Sequence, residues 1–399
     1  MKTNLNGISI PAALAMLALV ACSGSDPDDG DAGIGGTQST SSSGGTAGTG
    51  GGGTGALGGG GHSSGGGGQG AGAMGGGGQG AGAAGGDVGG SGTGGAAPAD
   101  LYFPAGAWMY QDISQAPLDA ESAQVTQWLA DHGGWGTGAM RIDFSLEVLD
   151  KASTTPYQSF EPTGDFFDPD CDLVDVPVPV GGALEGEQGY ECLSDGDCHL
   201  IVVDRDLYRL FEMWRANITG GVFYGGCLAA WDMTRIYPAN GRGEQCTSAD
   251  AAGFPIAPLL FSADEVAAGE IAHAIRFILP NARMRDGAYI RPATHAGGPS
   301  GPPEAPIYGS RWRLKASFDV NSLPSEGAKV VARAMKKYGM ALADGGNIAL
   351  TGQSDRFTAH TWTGLLDSYD LSSLQPTDFE VIDTGSPIAQ TNDCVRTAY

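Results

Sequence analysis

Between Ser23 and about Ala97 the chain is almost entirely Gly, Ala, Ser and Thr, with Asp26, Asp28, Asp29 and Asp31 clustered at its start. A stretch without large apolar side chains or periodicity cannot offset the entropy lost on ordering, so it reads as a flexible coil. Everything able to fold around a core therefore lies in residues 98–399. The near-duplicates Gly68-Gln69-Gly70-Ala71-Gly72-Ala73 and Gly78-Gln79-Gly80-Ala81-Gly82-Ala83 are low-complexity repeats, since a solenoid needs apolar residues in each unit to stack on. Glycine motifs inside this segment carry no weight.

Ahead of the coil, an apolar run from Ile8 follows a lone cation, Lys2, and closes on Leu19-Val20-Ala21-Cys22. The run is too short to cross a bilayer as a helix and ends at a small-residue cleavage point, so residues 1–21 read as a secretory signal. With that ending the chain resembles a bacterial lipoprotein precursor, cut before Cys22 so that its thiol carries lipid. Ser23 rather than Asp follows, which by the same resemblance implies a lipid anchor in the outer membrane or at the cell surface. Residues 22–97 then form a tether, and 98–399 one large domain.

The sequence has 45 acidic and 21 basic residues, a net charge of −24. Most of that charge falls on the domain and opposes binding to phosphate backbones, so nucleic acid is not an expected partner. Six cysteines follow Cys22: Cys171, Cys192, Cys198, Cys227, Cys246 and Cys394. In an exported chain an even set reads as up to three disulfides of open connectivity, with Cys192 and Cys198 close enough to close a small loop. Zinc competes weakly, because no Cys-x-x-Cys pair starts a site.

Along the domain, Asp119 is placed to cap a helix running to about His132, stopped by Gly133-Gly134. Strand composition marks Met140 to Leu146, His199 to Val203, Leu207 to Ile218 and Val222 to Met233. Ser262-Ala263-Asp264-Glu265 is a capping box opening a helix through about Ala274, and Ile275 to Leu279 continues as a strand. Arg311 to Val320 alternates with period two, placing Trp312, Leu314, Ala316, Phe318 and Val320 opposite Arg311, Arg313, Lys315, Ser317 and Asp319. Pro324 to Tyr338 is an amphipathic helix ended by Gly339. Asp344-Gly345-Gly346-Asn347, between Met340–Ala343 and Ile348–Thr351, signals a hairpin. Strands come in runs rather than alternating with helices, so the expected fold is mainly β with packed helices, a β-sandwich or jelly-roll-like domain.

Several stretches also resemble blocks shared by a group of secreted bacterial proteins. They are Asp112 to Asp119 (DISQAPLD), Gly196 to Asp204 (GDCHLIVVD), Thr247 to Leu260 (TSADAAGFPIAPLL), Gly269 to Phe277 (GEIAHAIRF), Arg311 to Asp319 (RWRLKASFD) and Lys336 to Gly346 (KKYGMALADGG). The resemblance covers nearly the whole domain and implies an exported single domain. It transfers no catalytic residues, because the group has no established activity.

Candidate chemistry starts from Glu270 and His273, three apart on the expected helix and so on one face, as acid/base pairs require. A solvated helix pair is the competing explanation. Asp250 and His295 lie nearby in sequence and complete the candidate catalytic set. Glu212, Asp232 and Asp319 are further carboxylates from which a glycosidase pair could be drawn, although most acids in such a chain solubilise its surface. A Gly-x-Ser-x-Gly elbow and a His-Glu-x-x-His motif are absent from the domain. Asp168, Asp170 and Asp172 imitate the opening of a calcium loop, but Leu173 and Pro179 stand where Gly and Glu belong. Calcium at Asp168, Asp170, Asp195 or Asp197 is the sole cofactor expectation, against an acidic surface loop. Arg311, Arg313 and Lys315 form a cationic row suited to substrate carboxylate or sulfate groups, unless neighbouring acids neutralise it. The seven tryptophans offer sugar-stacking faces or core.

The expectation is thus a surface-anchored carbohydrate-active protein, a glycan hydrolase or lyase using carboxylate and histidine acid/base chemistry on an extracellular polysaccharide. The alternative is a non-enzymatic binding module. Convergence of Asp250, Glu270, His273 and His295 in one concavity would favour the enzyme, and scatter the binding module.

Overall fold

A computed structural model describes residues 101–194 and 196–397. The signal, the tether, Cys22 and Asp195 lie outside the described residues. The described part is mainly β with few helices, as its composition indicated.

Ten strands organise it. They are β1 (Ile142–Leu146), β2 (Val148–Asp150), β3 (Leu200–Asp204), β4 (Arg209–Met213), β5 (Leu228–Asp232), β6 (Ile275–Leu279), β7 (Arg311–Leu314), β8 (Met340–Gly345), β9 (Leu350–Gln353) and β10 (Phe379–Val381). One six-stranded sheet has the order β1-β9-β6-β8-β7-β10, and a four-stranded sheet has the order β5-β4-β3-β2. Parallel and antiparallel pairs mix: β1 runs parallel to β9 and β6 to β8, whereas β7 is antiparallel to both β8 and β10. Smaller two- and three-stranded sheets complete the described region.

The expected hairpin between β8 and β9 does not form. Both strands occur, but β6 lies between them, pairing Ile275 with Met340 on one side and Phe277 with Leu350 on the other. Ile275, Phe277 and Leu279 are wholly buried, and a nearly continuous apolar run belongs at a sheet centre. That burial outweighs the local turn signal.

Three helices pack around the sheets: α1 (Ser122–Asp131), α2 (Ala263–Ala268) and α3 (Glu326–Lys337). Asp119 does not cap α1; its carboxylate takes the Glu121 N–H in a local turn, and the helix begins three residues later. The capping box of α2 forms as expected, but Gly269 adopts a left-handed conformation (φ 85°) and ends the helix at Ala268. α3 is capped by the Ser325 hydroxyl and buries Ala328, Val331, Ala334 and Met335. Gly339 follows at φ 72°, where a Cβ would stand 2.5 Å from the Trp312 carbonyl.

β7 stops at Leu314 instead of running to Val320. All four of its residues are buried, so the cationic side chains face protein rather than solvent. Core aromatics meet behind this strand, with the Trp135 ring 5.7 Å from Trp312 and 5.3 Å from Phe379. The cysteines pair at disulfide distance as Cys171–Cys227, Cys192–Cys198 and Cys246–Cys394. No helix among the described residues is long and apolar enough to cross a membrane.

Candidate functional site

The polar face of the six-stranded sheet gathers charged residues from elements far apart in sequence. Along β1, Ile142 enters the core while Asp143 and Ser145 turn to the opposite face, as strand alternation dictates. Thr351 of β9 stands beside Asp143 in register. Arg276 alternates with the buried Ile275 and Phe277 of β6 and so reaches this same face, where its Nη1 donates to Thr351 Oγ1 at 3.3 Å.

Two loops complete the group. In the first, Ala183 and Leu184 are buried anchors, the Glu185 N–H bonds the His199 carbonyl at 3.0 Å, and the Gly186 N–H bonds the Ser145 carbonyl at 3.1 Å. Those bonds place the Glu185 carboxylate between β1 and the start of β3. In the second, the Ser248 hydroxyl donates to the Phe254 carbonyl and receives the Asp250 N–H, while Ala252 N–H bonds the Ala343 carbonyl. Asp250 is thereby fixed against β8 with no exposed surface.

The Arg276 Nε and Nη2 donate to Asp250 Oδ1 at 3.2 and 2.9 Å, and Nη2 also reaches Asp344 Oδ2 at 3.0 Å. Asp250 Oδ2 is buried without a hydrogen-bond partner. Burial pushes the Asp250 pKa well above the carboxylate range and the neighbouring Asp344 adds to it, against the attraction of Arg276.

His199 is fixed by two acceptors. Its Nδ1 lies 2.6 Å from Glu185 Oε2 and its Nε2 lies 3.1 Å from the Ala249 carbonyl. Both neighbours only accept, so both nitrogens donate and the ring is an imidazolium. Burial opposes that charge, but Glu185 outweighs it and the pKa is pushed up to about 9. In return, the charge and hydrogen bonds of His199, with the charge of Arg276, overcome burial and hold Glu185 below the usual carboxylate range.

Asp143 is displaced the opposite way. Burial raises its pKa and the charge of Glu185 adds to the rise, against hydrogen bonds from Ser145 and the charge of Arg141. Ser145 connects the two acids: its N–H bonds Asp143 Oδ1 at 3.0 Å and its hydroxyl reaches Glu185 Oε1 at 3.4 Å. The two neighbouring acids are therefore displaced in opposite directions, Asp143 up and Glu185 down.

Of the four catalytic candidates from sequence, only Asp250 belongs to this group. His295 is adjacent through the backbone, its Nδ1 2.9 Å from the Ala251 carbonyl, and burial lowers its pKa. His273 lies elsewhere, and Glu270 is exposed beyond the end of α2. Because Gly269 ends that helix, the shared helix face expected for Glu270 and His273 does not exist. Glu270 bonds through its backbone N–H to the Glu265 carbonyl.

His273 pairs instead with Glu265, Nε2 to Oε1 at 3.1 Å, while its Nδ1 meets the Ala274 carbonyl at 2.8 Å. It too is an imidazolium by its acceptors, and Glu265 raises its pKa against burial. The pair borders a cavity of about 270 Å³, lined also by Tyr102, Tyr110, Asp150, Arg205 and Asp264.

The cationic row is occupied internally. Arg311 donates to the Tyr338 carbonyl at 2.6 Å and lies over the Trp108 ring, Arg313 is paired with Glu380, and Lys315 donates to the Thr377 carbonyl. The row is thus unavailable to an external polymer. Likewise, Asp172 of the imitation calcium loop is held by Arg242 and Arg396, and Asp170 accepts the Thr247 N–H. Glu212 is wholly buried, receiving the Ile256 and Ala257 N–H groups and the Trp231 indole, and burial pushes it up to about 7.

Sequence reasoning missed Asp143, Glu185, His199, Arg276 and Asp344. A usable signal existed for three of them: a charge inside an otherwise apolar strand, as in Ala274-Ile275-Arg276-Phe277, Ile142-Asp143-Phe144 and Leu342-Ala343-Asp344. Such placement is costly unless the charge is paired, and it marks candidate sites. Comparison with known proteins adds no identity to this geometry: no family model, no curated protein and no solved structure matches the chain.

Proposed function

We propose that this is a carbohydrate-active enzyme, anchored to the cell surface through lipid on Cys22, whose acid/base pair is Asp143 and Glu185. One observation carries the reading: two neighbouring carboxyl groups joined by Ser145 have their pKa values pushed apart, Asp143 up and Glu185 down. That division is what glycosidic bond cleavage requires of its two carboxyls. Asp143 gives its proton to the glycosidic oxygen as the C–O bond breaks. Glu185 either takes a proton from the water that adds to the anomeric carbon or attacks that carbon itself. Its Oε1 has only the long Ser145 contact and is free for either role, whereas Oε2 is held by His199. His199 is a positioning residue that keeps Glu185 ionised.

The test is turnover of a polysaccharide panel by the mature protein, with the anomer of the first product followed by NMR. Glu185→Gln and Asp143→Asn should each lower kcat by about 10²–10⁴ while melting within a few degrees of the parent. Full activity in either variant would sink the assignment. Lipid at Cys22 is checked separately by detergent partitioning, where Cys22→Ala should move the protein to the aqueous phase.

A binding-module reading draws on the cavity beside Tyr102 and Tyr110 and on the scatter of Asp250, Glu270 and His273. It is favoured if the Glu185→Gln protein binds glycans as tightly as the parent and the parent turns none over.

A further inference from the structure

Among the described basic residues, cations beside the acid pair are held by protein acceptors. Arg276 is shared by Asp250, Asp344 and Thr351, and Arg356 donates to the Glu187 and Gln188 carbonyls. Arg141 differs. It makes no hydrogen bond or ion pair through its side chain, and its Nε is buried without a partner. Its guanidinium lies over the ring of the exposed Tyr369, 5.3 Å from the centroid.

Arg141 immediately precedes β1, and residues 141, 143 and 145 fall on one side of the extended chain. The unpaired guanidinium is thus in line with the acid Asp143 and with Ser145, which touches Glu185. In a chain of 45 acids, this arginine makes no contact ion pair and its charge reaches Asp143 only through space, so its hydrogen-bonding capacity is open to an external carboxylate. A planar guanidinium fits a carboxylate through two parallel hydrogen bonds, and the Tyr369 ring beneath it limits where it can move.

We propose that Arg141 binds the carboxylate of a uronic-acid residue and holds the adjoining glycosidic linkage against Asp143 and Glu185. The inference rests on the acid/base reading above and names its substrate class. It also replaces the internally bonded Arg311, Arg313 and Lys315 row as the anion-recognising element. The net charge of −24 repels long polyanions, so the fitting substrate carries uronate sparsely along an otherwise neutral chain.

The experiment measures kcat and KM of the full mature protein on a matched pair that differs only in sparse uronate, xylan against glucuronoxylan oligosaccharides. The parent should prefer the uronate member of the pair. Arg141→Gln should reduce that preference about tenfold or more, through KM, and Arg141→Lys should restore part of it. A folded Arg141→Gln protein that keeps the parent's preference overturns the inference. Turnover of neutral glycans alone also overturns it while leaving the acid/base pair standing. Failure to turn over or bind any member removes the acid/base reading and this inference with it.

Discussion

Two Glu–His ion pairs of the same chemistry stand in this domain, and they differ in what is left over. In Glu185–His199 the histidine occupies one carboxylate oxygen, and the other meets only the Ser145 hydroxyl at 3.4 Å. In Glu265–His273 both oxygens are taken: Oε1 by His273, and Oε2 by the N–H and hydroxyl of Ser262, at 2.9 and 2.8 Å. The second glutamate is the reciprocal half of the α2 capping box and serves the fold. The first has capacity to spare, beside an acid whose pKa moves the other way. An ion pair is a functional candidate when its hydrogen-bonding capacity is incompletely used, whatever its residue types.

The largest expected effect breaks the first pair's surroundings. Arg276→Leu removes the cation shared by Asp250 and Asp344 and should cost about 3–5 kcal/mol in denaturant unfolding, as loss of one partner from a buried ion network does. Among the described residues no arginine bonds the Glu265–His273 pair, so Arg205→Leu, at the rim of its cavity, should cost under about 1 kcal/mol. Equal losses would erase the distinction between the two regions.

Next comes pH. The folded pKa of His199 is raised to about 9 from the ordinary 6.5, so its stabilising contribution is complete below about 6.5 and is lost as pH rises through about 9. Thermal unfolding across that window should show a decline of about 1–3 kcal/mol, and His199→Gln should flatten it. A parent protein equally stable at both ends would refute the imidazolium assignment. Both histidines should also show two protonated ring nitrogens by NMR at pH 6.

Replacing each glutamate in turn sharpens the contrast. Glu265→Gln weakens a capping box and an ion pair and should cost about 1–2 kcal/mol in chemical denaturation. Glu185→Gln removes the partner that keeps the buried His199 charged and should cost a similar amount, about 1–3 kcal/mol, and in addition lose turnover. Loss of turnover in Glu265→Gln with Glu185→Gln still active would mean that Glu265 is the functional member.

The smallest expected effect is at Asp250. Burial disfavours its charged form, so Asp250→Asn, which keeps the shape and the Oδ1 acceptor for Arg276, should cost under about 1 kcal/mol. A loss above about 2 kcal/mol would indicate an ionised Asp250.

Much of the local structure was legible in sequence. The α2 capping box, the β6 boundaries, the apolar stripe of α3 and the Cys192–Cys198 loop follow from spacing alone, because each rests on contacts a few residues apart. The candidate site was legible only at Asp250. Glu185 lies in a loop without periodic pattern, and its partner His199 is reached through backbone bonds that no spacing rule describes. The Glu270 and His273 expectation failed on one residue, since Gly269 takes a left-handed turn that ends the helix before either is reached. The cationic row failed because alternation predicts which side a residue faces but not whether that side meets solvent. Both faces of β7 are covered.

The sequence by itself determined that a glycine-rich segment with no means of building a core precedes an acidic domain, mostly strands, with six cysteines available for pairing. These are properties of composition and short-range pattern. Only the tertiary structure decided that β6 separates β8 from β9, that the cations of β7 turn inward, and that Asp143, Glu185, His199 and Arg276 share one face. The reason is that strand order and the partner of a buried charge are settled by competition among distant segments for the same core, and that competition has no local signature.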